Sequence, residues 1–219
     1  MTGFDEAGHR RSAALAGPTR HFVTDRVRFG LSLDELVGRA ATAARAGVDV
    51  IQIRERDLPD AQLAALARRI AGVAAGTNTR VIVNDRADIA IAAGAAGVHL
   101  RGDSPPASRV RAAFAAASTP TAPLIGRSVH SLAEVDAAIA DGGCDYLLFG
   151  TVYPSDGKPA GHPVAGLEAL AQVCARSPLP VIAIGGITER NARFVCDAGA
   201  AGFAAVGFFM CLTPLPEVV

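Results

Sequence analysis

Short apolar runs rich in valine and isoleucine alternate with longer alanine- and leucine-rich stretches along the 219-residue chain. Runs of four to eight such residues are typical of buried strands, whereas apolar positions that recur every three to four residues indicate helices. The pattern predicts eight strands, which begin near His21, Val48, Arg80, Gly97, Ala122, Cys144, Leu179 and Ala201.

The stretches between these strands predict helices, of which the most regular are Ser32–Ala46, Asp60–Ala75, Ser131–Asp141 and Gly166–Ala175. Parallel strands need a crossover connection, so strict alternation of strand and helix predicts a parallel sheet. Eight such units close into a single (β/α)8 TIM barrel. An open doubly wound sheet is the alternative, but no G-x-G-x-x-G follows the first strand. Few residues follow Gly207, so the last helix should be short or missing.

Composition narrows the class of protein. Half of the residues are apolar, and Lys+Arg and Asp+Glu balance at 21 each without blocks of like charge. This argues against partners such as nucleic acid or an anionic membrane surface. The four cysteines form no CxxC pair, and no segment is apolar enough for a membrane span or a signal peptide. We therefore expect a cytoplasmic protein, with a flexible tail at residues 1–20 and the barrel domain at 21–219.

Polar residues at the end of the second predicted strand, I-Q-I-R-E-R-D, suggest an anion site. Side chains alternate along a strand, so Gln52, Arg54 and Arg56 share one face. Catalytic residues of such barrels lie at the carboxyl ends of the strands. The functional interpretation is a clamp for diphosphate oxygens, which suits the planar arginine fork. The alternative is an internal ion pair with Asp49 or Asp85.

Two further strand ends carry candidate ligands. Asn84 and Asp85 end the third strand, where an amide and a carboxylate would hold Mg²⁺ together with water and substrate phosphate. An Asx turn is the alternative. Ser128 and His130 end the fifth strand on a common face, where His130 would bond a phosphate or position a ring. A purely structural hydrogen bond is equally typical of such a histidine.

The 151–165 loop that follows the sixth strand is long for a barrel loop, and long loops in compact domains are often functional lids. It carries Ser155 and Lys158. Lys158 would close over a leaving diphosphate. A mobile surface loop with a solvated lysine is the alternative.

The seventh strand ends in Gly185 and Gly186, before a helix predicted to open at Thr188. Glycines expose their backbone N–H groups, and a side chain there would block close approach of a ligand. Together with Val206 and Gly207 at the end of the eighth strand, they form the usual phosphate site of a barrel.

Six motifs, in order, resemble the thiamine-phosphate synthase and thiazole tautomerase superfamily over about residues 21–209: IQIRER, VIVNDRADIA, GVHL, IGRSVHSLAEV, DYLLFGTVYPSDGKP and PVIAIGGI. The synthase joins hydroxymethylpyrimidine diphosphate to thiazole phosphate, releases diphosphate and depends on Mg²⁺. The tautomerase aromatises a thiazole carboxylate phosphate without metal. Both bind thiazole phosphate at the glycine pair.

The resemblance implies roles for individual residues. Asp85 matches a Mg²⁺ ligand of the synthase, and Asp103 lies one residue before the position of a second one. The implied catalytic residues are Arg54, Lys158 and His130, with Mg²⁺ on Asp85 and Asp103. The implied substrate-binding residues are Gln52, Arg54, Arg56, Asn84, Ser128, His130, Ser155, Lys158, Gly185, Gly186, Val206 and Gly207.

Some positions depart from the residues of one or the other of these two enzymes. Thr151 replaces the acid/base histidine of the tautomerase, whereas Gly207 replaces a serine of the synthase. We favour the synthase, with the tautomerase or a non-catalytic barrel that binds thiazole phosphate or thiamine phosphate as alternatives. The apolar Phe208–Met210 segment suggests either a homodimer surface or a packed end of the barrel.

Overall fold

The computed structural model describes residues 18–159 and 161–210, in which strands and helices alternate strictly. Each strand is parallel to its neighbours, and the eighth pairs with the first, so the sheet closes into a (β/α)8 barrel as predicted. The elements are β1 (Thr19–Val23), α1 (Leu33–Arg45), β2 (Val50–Ile53), α2 (Asp60–Ala74), β3 (Arg80–Asn84), α3 (Ala87–Ala93), β4 (Gly97–Leu100), α4 (Ala107–Ala116), β5 (Leu124–Val129), α5 (Leu132–Asp141), β6 (Tyr146–Phe149), α6 (Gly166–Arg176), β7 (Val181–Ile184), α7 (Ala192–Asp197), β8 (Gly202–Ala205) and α8 (Gly207–Met210).

Local sequence signals set the ends of several helices. Ser32 begins α1 with a capping box, in which its hydroxyl accepts from the Glu35 amide and the Glu35 carboxylate accepts from the Ser32 amide. Gly94 ends α3 in the left-handed conformation, with φ of 66°. The predicted bounds of the four most regular helices differ from the observed ones by at most one residue.

The start of α7 was predicted wrongly. The helix begins at Ala192 instead of Thr188, because the Asn191 side chain folds residues 188–191 into a turn. Its Oδ1 accepts from the Thr188 amide at 2.7 Å, and its Nδ2 donates to the Gly186 carbonyl at 2.9 Å. This turn ties the glycine pair to α7.

Within the described residues α8 spans Gly207–Met210, and where the helix ends stays a prediction because residues 211–219 lie outside the described part of the chain. Phe208, Phe209 and Met210 are all buried, and the Phe209 ring packs against Phe22 and Phe203. The apolar segment is therefore a packed end of the barrel and not an exposed surface for a second copy. Whether the protein forms a homodimer by another surface stays a prediction.

A flexible tail was predicted at residues 1–20. Residues 1–17 lie outside the described residues, whereas Thr19 and Arg20 belong to β1.

Within the described ranges, each helix is too short or too polar to cross a lipid bilayer. Cys144, Cys174 and Cys196 are free thiols. Cys211 lies outside the described residues.

Three polar rings lie in the barrel interior beneath the strand ends. His99 is fully enclosed, with Nδ1 3.0 Å from the Tyr146 hydroxyl and Nε2 2.9 Å from the Ser128 hydroxyl. His21 packs edge-on against Tyr146, with the ring centroids 5.8 Å apart. Loss of hydration lowers the pKa of both His21 and His99 to about 3. Both imidazoles are therefore neutral near pH 7.

These two histidines predict acid sensitivity. Their folded pKa of about 3 lies below the ordinary value of 6.5, so the unfolded chain binds more protons between these pH values. The free energy of unfolding should fall as the pH drops from 6.5 toward 3, by up to about 1.4 kcal/mol per pH unit for each histidine. Urea unfolding at several pH values measures this slope.

The control is His99→Gln, which removes one of the two proton sites and should make the slope shallower over the same interval. An unchanged slope in His99→Gln would show that His99 is not the group responsible.

Candidate active site

A cavity of about 910 Å³ opens at the carboxyl ends of the strands and contains nearly all of the predicted site residues. The exception is Asp85, which is not part of the lining. Sequence reasoning did not select Asp25, Arg28 or Arg101, which also line the cavity. The predicted residues brought together there are Gln52, Arg54, Arg56, Asn84, Asp103, Ser128, His130, Ser155, Lys158, Gly185, Gly186, Val206 and Gly207.

The end of β2 presents its polar face to the cavity, as strand alternation predicts. Gln52 donates to the Asn84 side-chain oxygen at 2.8 Å, and Arg54 Nη1 lies 3.6 Å from Asp25 Oδ2. Glu55 points the opposite way, is buried and pairs with Arg26. Burial and the charge of nearby Arg56 lower the pKa of Arg54, so an anionic ligand would stabilise its charged form.

The alternative of an ion pair between these arginines and Asp49 or Asp85 is wrong, because Arg54 pairs with Asp25. The Asp49 carboxylate accepts from the Arg20 backbone amide at 2.8 Å. The Asp85 carboxylate is engaged by Arg101 instead.

Asn84 and Asp85 are adjacent in the chain, but their side chains have different surroundings. Asp85 has a left-handed backbone, with φ of 62°, and its amide donates to the His99 carbonyl at 2.8 Å. Its carboxylate accepts from the Ser104 hydroxyl and lies 3.1 Å from Arg101 Nε, whereas Asn84 lines the cavity. The turn at Asp85 therefore leaves the Asn84 side-chain amide in the cavity lining and the Asp85 carboxylate outside it.

Arg101 bridges the two carboxylates that the sequence assigned to a metal. Its Nε lies 3.1 Å from Asp85 Oδ2 and 3.1 Å from Asp103 Oδ1, and Nη2 donates to Asp103 Oδ2 at 3.2 Å. Among residues 18–159 and 161–210, no group of three or more histidine, cysteine or acidic side chains is arranged to hold a metal ion. Metal binding by Asp85 and Asp103 stays a prediction.

Arg127 supports the segment that carries Arg101 and Asp103. This arginine is almost fully buried and donates to the backbone carbonyls of Arg101 at 3.1 Å and of Pro105. Alternation along β5 directs Ser128 into the cavity and Arg127 to the outer side of the sheet. Strand alternation could have indicated from the sequence that Arg127 faces the outer side of the sheet. Its carbonyl partners could not be predicted, because only the fold brings the 101–105 backbone close to it.

Ser128 and His130 both line the cavity, in agreement with their shared face. Ser128 is held from below by the neutral His99 ring. His130 is exposed, and its Nδ1 and backbone amide both contact one oxygen of Glu134, at 3.0 and 2.9 Å. This carboxylate fixes the orientation of His130 at the rim.

The 151–165 loop is tied at its base and charged at its tip. The amides of Val152 and Tyr153 donate to the carbonyls of Ile184 and Gly185, at 2.9 and 3.0 Å, which continues the pairing of β6 with β7. At the tip, Asp156 Oδ2 lies 3.8 Å from Arg28 Nη2. The loop thus reaches across the cavity mouth, and its action as a lid stays a prediction.

The glycine pair is required by the packing of this loop. Gly185 and Gly186 have φ of 102° and 64°. An added Cβ would lie 2.5 Å from Thr151 Cγ2 at Gly185 and 2.3 Å from the Pro154 carbonyl oxygen at Gly186. A side chain at either position would therefore displace the loop as well as obstruct a ligand. The glycines are thus required for loop packing in addition to the expected close approach of a ligand.

Comparison with known protein families shows to which family the chain belongs. Residues 21–208 match the family model described as thiamine monophosphate synthase. The chain belongs to the thiamine monophosphate synthase family. Relatives in this family include the thiamine-phosphate synthases of Methanoculleus marisnigri and Enterococcus faecalis, which are 39% and 33% identical to the chain. The alignments cover 79% and 88% of the chain, and 82% and 87% of the relatives.

Solved structures agree with the family. Thiamine phosphate pyrophosphorylase from Pyrococcus furiosus has a TM-score of 0.75 and 30% identity, over 90% of this chain and 89% of that one. A 3-hexulose-6-phosphate synthase has a TM-score of 0.66 at 18% identity, over 90% of this chain and 94% of that one, and shares the fold alone. Membership of the thiamine monophosphate synthase family, predicted from the six motifs, is confirmed.

The contact between Gly186 and the loop predicts a specific loss. Gly186→Ala should cost about 2 to 4 kcal/mol, because it combines left-handed strain with a clash against Pro154. Amide exchange at Val152 and Tyr153 should accelerate as the loop is displaced. Urea unfolding and hydrogen exchange measure the two effects.

Gly161→Ala is the matched control, because Gly161 also has a positive φ of 78° but has open space around the added Cβ. It should cost about 1 kcal/mol and leave the Val152 and Tyr153 amides protected. Equal effects of the two substitutions would contradict the packing role of Gly186.

Proposed function

We propose that this chain is a thiamine-phosphate synthase that joins hydroxymethylpyrimidine diphosphate to thiazole phosphate and releases diphosphate. The observation that supports this activity is the presence of two different anion-binding elements in one cavity. Arg54 and Arg56 at the end of β2 and Lys158 of the 151–165 loop supply positive charge, and the glycine pair after β7 supplies backbone amides.

The cavity suits two substrates. Its volume of about 910 Å³ is near the upper end for small-molecule sites, about 300 to 1,000 Å³. We assign thiazole phosphate to the amides of Gly185 and Gly186 and to the first turn of α8 at Gly207, where helical amides have no intrahelical partner. We assign the diphosphate to the side of Arg54 and Lys158.

The chemistry needs no protein nucleophile. The bond between the pyrimidine methylene carbon and the diphosphate oxygen breaks, and the diphosphate leaves with the electron pair. The aminopyrimidine ring stabilises the resulting cation, and the thiazole nitrogen forms the new bond to the methylene carbon. The protein stabilises the charge that develops on the diphosphate, and Arg54 and Lys158 are the groups that would do so.

The predicted Mg²⁺ on Asp85 and Asp103 does not fit the donors as they are arranged. Mg²⁺ binds carboxylate oxygens directly, and here the Arg101 guanidinium already lies between the two carboxylates, where its positive charge would repel the ion. The proposed reaction therefore contains no step on the ion, and activity in a chelator compared with activity in Mg²⁺ shows whether the ion is required. Location in the cytoplasm stays a prediction.

The direct test supplies both substrates and follows thiamine phosphate, in Mg²⁺ and in a chelator. Arg54→Gln and Lys158→Gln should each lower kcat by about 100-fold or more, since each removes a cation from the departing diphosphate. Arg109→Gln is the matched control, because Arg109 is exposed on α4 and lies outside the cavity lining.

The alternatives give different outcomes. A tautomerase would convert thiazole carboxylate phosphate and would lose that activity in His130→Asn, since it needs a proton carrier. In a synthase, His130→Asn weakens but does not abolish thiamine phosphate formation. Binding of thiazole phosphate without turnover of either substrate would indicate the non-catalytic barrel and contradict the proposal.

A further inference from the structure

Arg101 is the first residue after β4, and its half-exposed side chain lines the cavity. The guanidinium lies between Asp85 and Asp103, with Nε 3.1 Å from an oxygen of each. A positive charge thus already lies between the two carboxylates at which a divalent cation was expected.

The contacts of these carboxylates leave no oxygen without a donor. Asp85 Oδ1 accepts from the Ser104 hydroxyl, and Asp85 Oδ2 contacts Arg101 Nε. Asp103 Oδ1 and Oδ2 contact Arg101 Nε and Nη2. A divalent cation would have to share these oxygens with the donors or displace them, and in either case it would lie beside a like charge, which is unfavourable at such short range.

The backbone around Arg101 is held in place by contacts that do not involve a ligand. The Arg101 amide donates to the Ser104 hydroxyl at 2.8 Å, and the Arg101 carbonyl accepts from Arg127 Nη1 at 3.1 Å. The same hydroxyl donates to Asp85. One network therefore holds both the backbone that carries Arg101 and one of the carboxylate partners of its guanidinium, which is the preorganisation that electrostatic stabilisation needs.

We propose that the Arg101 guanidinium is the resident cation of the diphosphate end of the cavity and takes the place of the expected Mg²⁺. This inference rests on the proposed function for the identity of the anion. Arg101 uses Nε and Nη2 for the two aspartates, and its Nη1 amino group supplies two further N–H donors. A guanidinium is well suited to phosphate oxygens because its donors are planar and its charge is permanent.

Two consequences distinguish Arg101 from a surface arginine. Diphosphate should bind without any divalent metal, and this binding should depend on Arg101. Mg²⁺ alone should bind weakly to the wild-type protein and more tightly when Arg101 is removed, because the oxygens of Asp85 and Asp103 then become available.

The first experiment titrates inorganic diphosphate by calorimetry in the presence of a chelator. Arg101→Gln should weaken binding by about 10- to 100-fold, the usual effect of losing a charged hydrogen-bond donor. Arg101→Lys should fall between Arg101→Gln and wild type, because the charge remains but the fork is lost. Arg109→Gln, the exposed control on α4, should bind like wild type.

The second experiment titrates Mg²⁺ alone, without substrate. Arg101→Gly should bind the ion at least about tenfold more tightly than wild type, and adding Asp85→Asn should abolish the gain. Arg101→Lys keeps the charge and should bind Mg²⁺ as weakly as wild type. Thermal unfolding of each variant shows that the barrel is retained, and the glutamine and lysine variants keep the test independent of the glycine variant.

The proposal is overturned if wild type fails to bind diphosphate in the chelator, if Arg101→Gln binds it equally well, or if wild type binds Mg²⁺ as tightly as Arg101→Gly. None of these readouts uses turnover. If both titrations behave as expected but no thiamine phosphate forms, the cation role of Arg101 stands and the proposed function fails.

Discussion

Hydrogen bonding between β8 and β1 is the constraint on which the site depends, because it closes the sheet and brings all eight strand ends to one rim. The first and last strands pair from Thr19 with Gly202 to Phe22 with Ala205. Gly202 permits this approach, since an added Cβ would lie 2.2 Å from the Thr19 carbonyl oxygen. Without closure, residues of β2 and of β7 would not face one cavity.

Charge compensation organises the rim. Three of the cationic side chains there lie near aspartates: Arg54 near Asp25, Arg101 between Asp85 and Asp103, and Arg28 near Asp156. These pairs are partly exposed, so each stabilises the fold only weakly. They hold positive charge in position before a ligand arrives, and a phosphorylated substrate offers the same cations a stronger partner.

The barrel and most of its lining could be predicted from sequence because their signals are local. Alternation along a strand assigns Gln52 and Arg54 to the cavity and Glu55 to the opposite side, as the contacts of these residues confirm. The start of α7 could not be predicted in the same way. Periodicity does not reveal that the Asn191 side chain bonds Thr188 and Gly186 and delays the helix.

The sequence by itself determined the order of elements and the residues at each strand end, because hydrophobic periodicity and glycine positions act over a few neighbouring residues. Only the tertiary structure decided which of those residues share contacts. Asp85 lies on the segment after β3, and Arg101 and Asp103 lie on the segment after β4. The local sequence pattern does not indicate that the Arg101 guanidinium lies between the two carboxylates. That arrangement arises from the left-handed turn at Asp85 and the Arg127 contacts to the 101–105 backbone, which join residues distant in the chain.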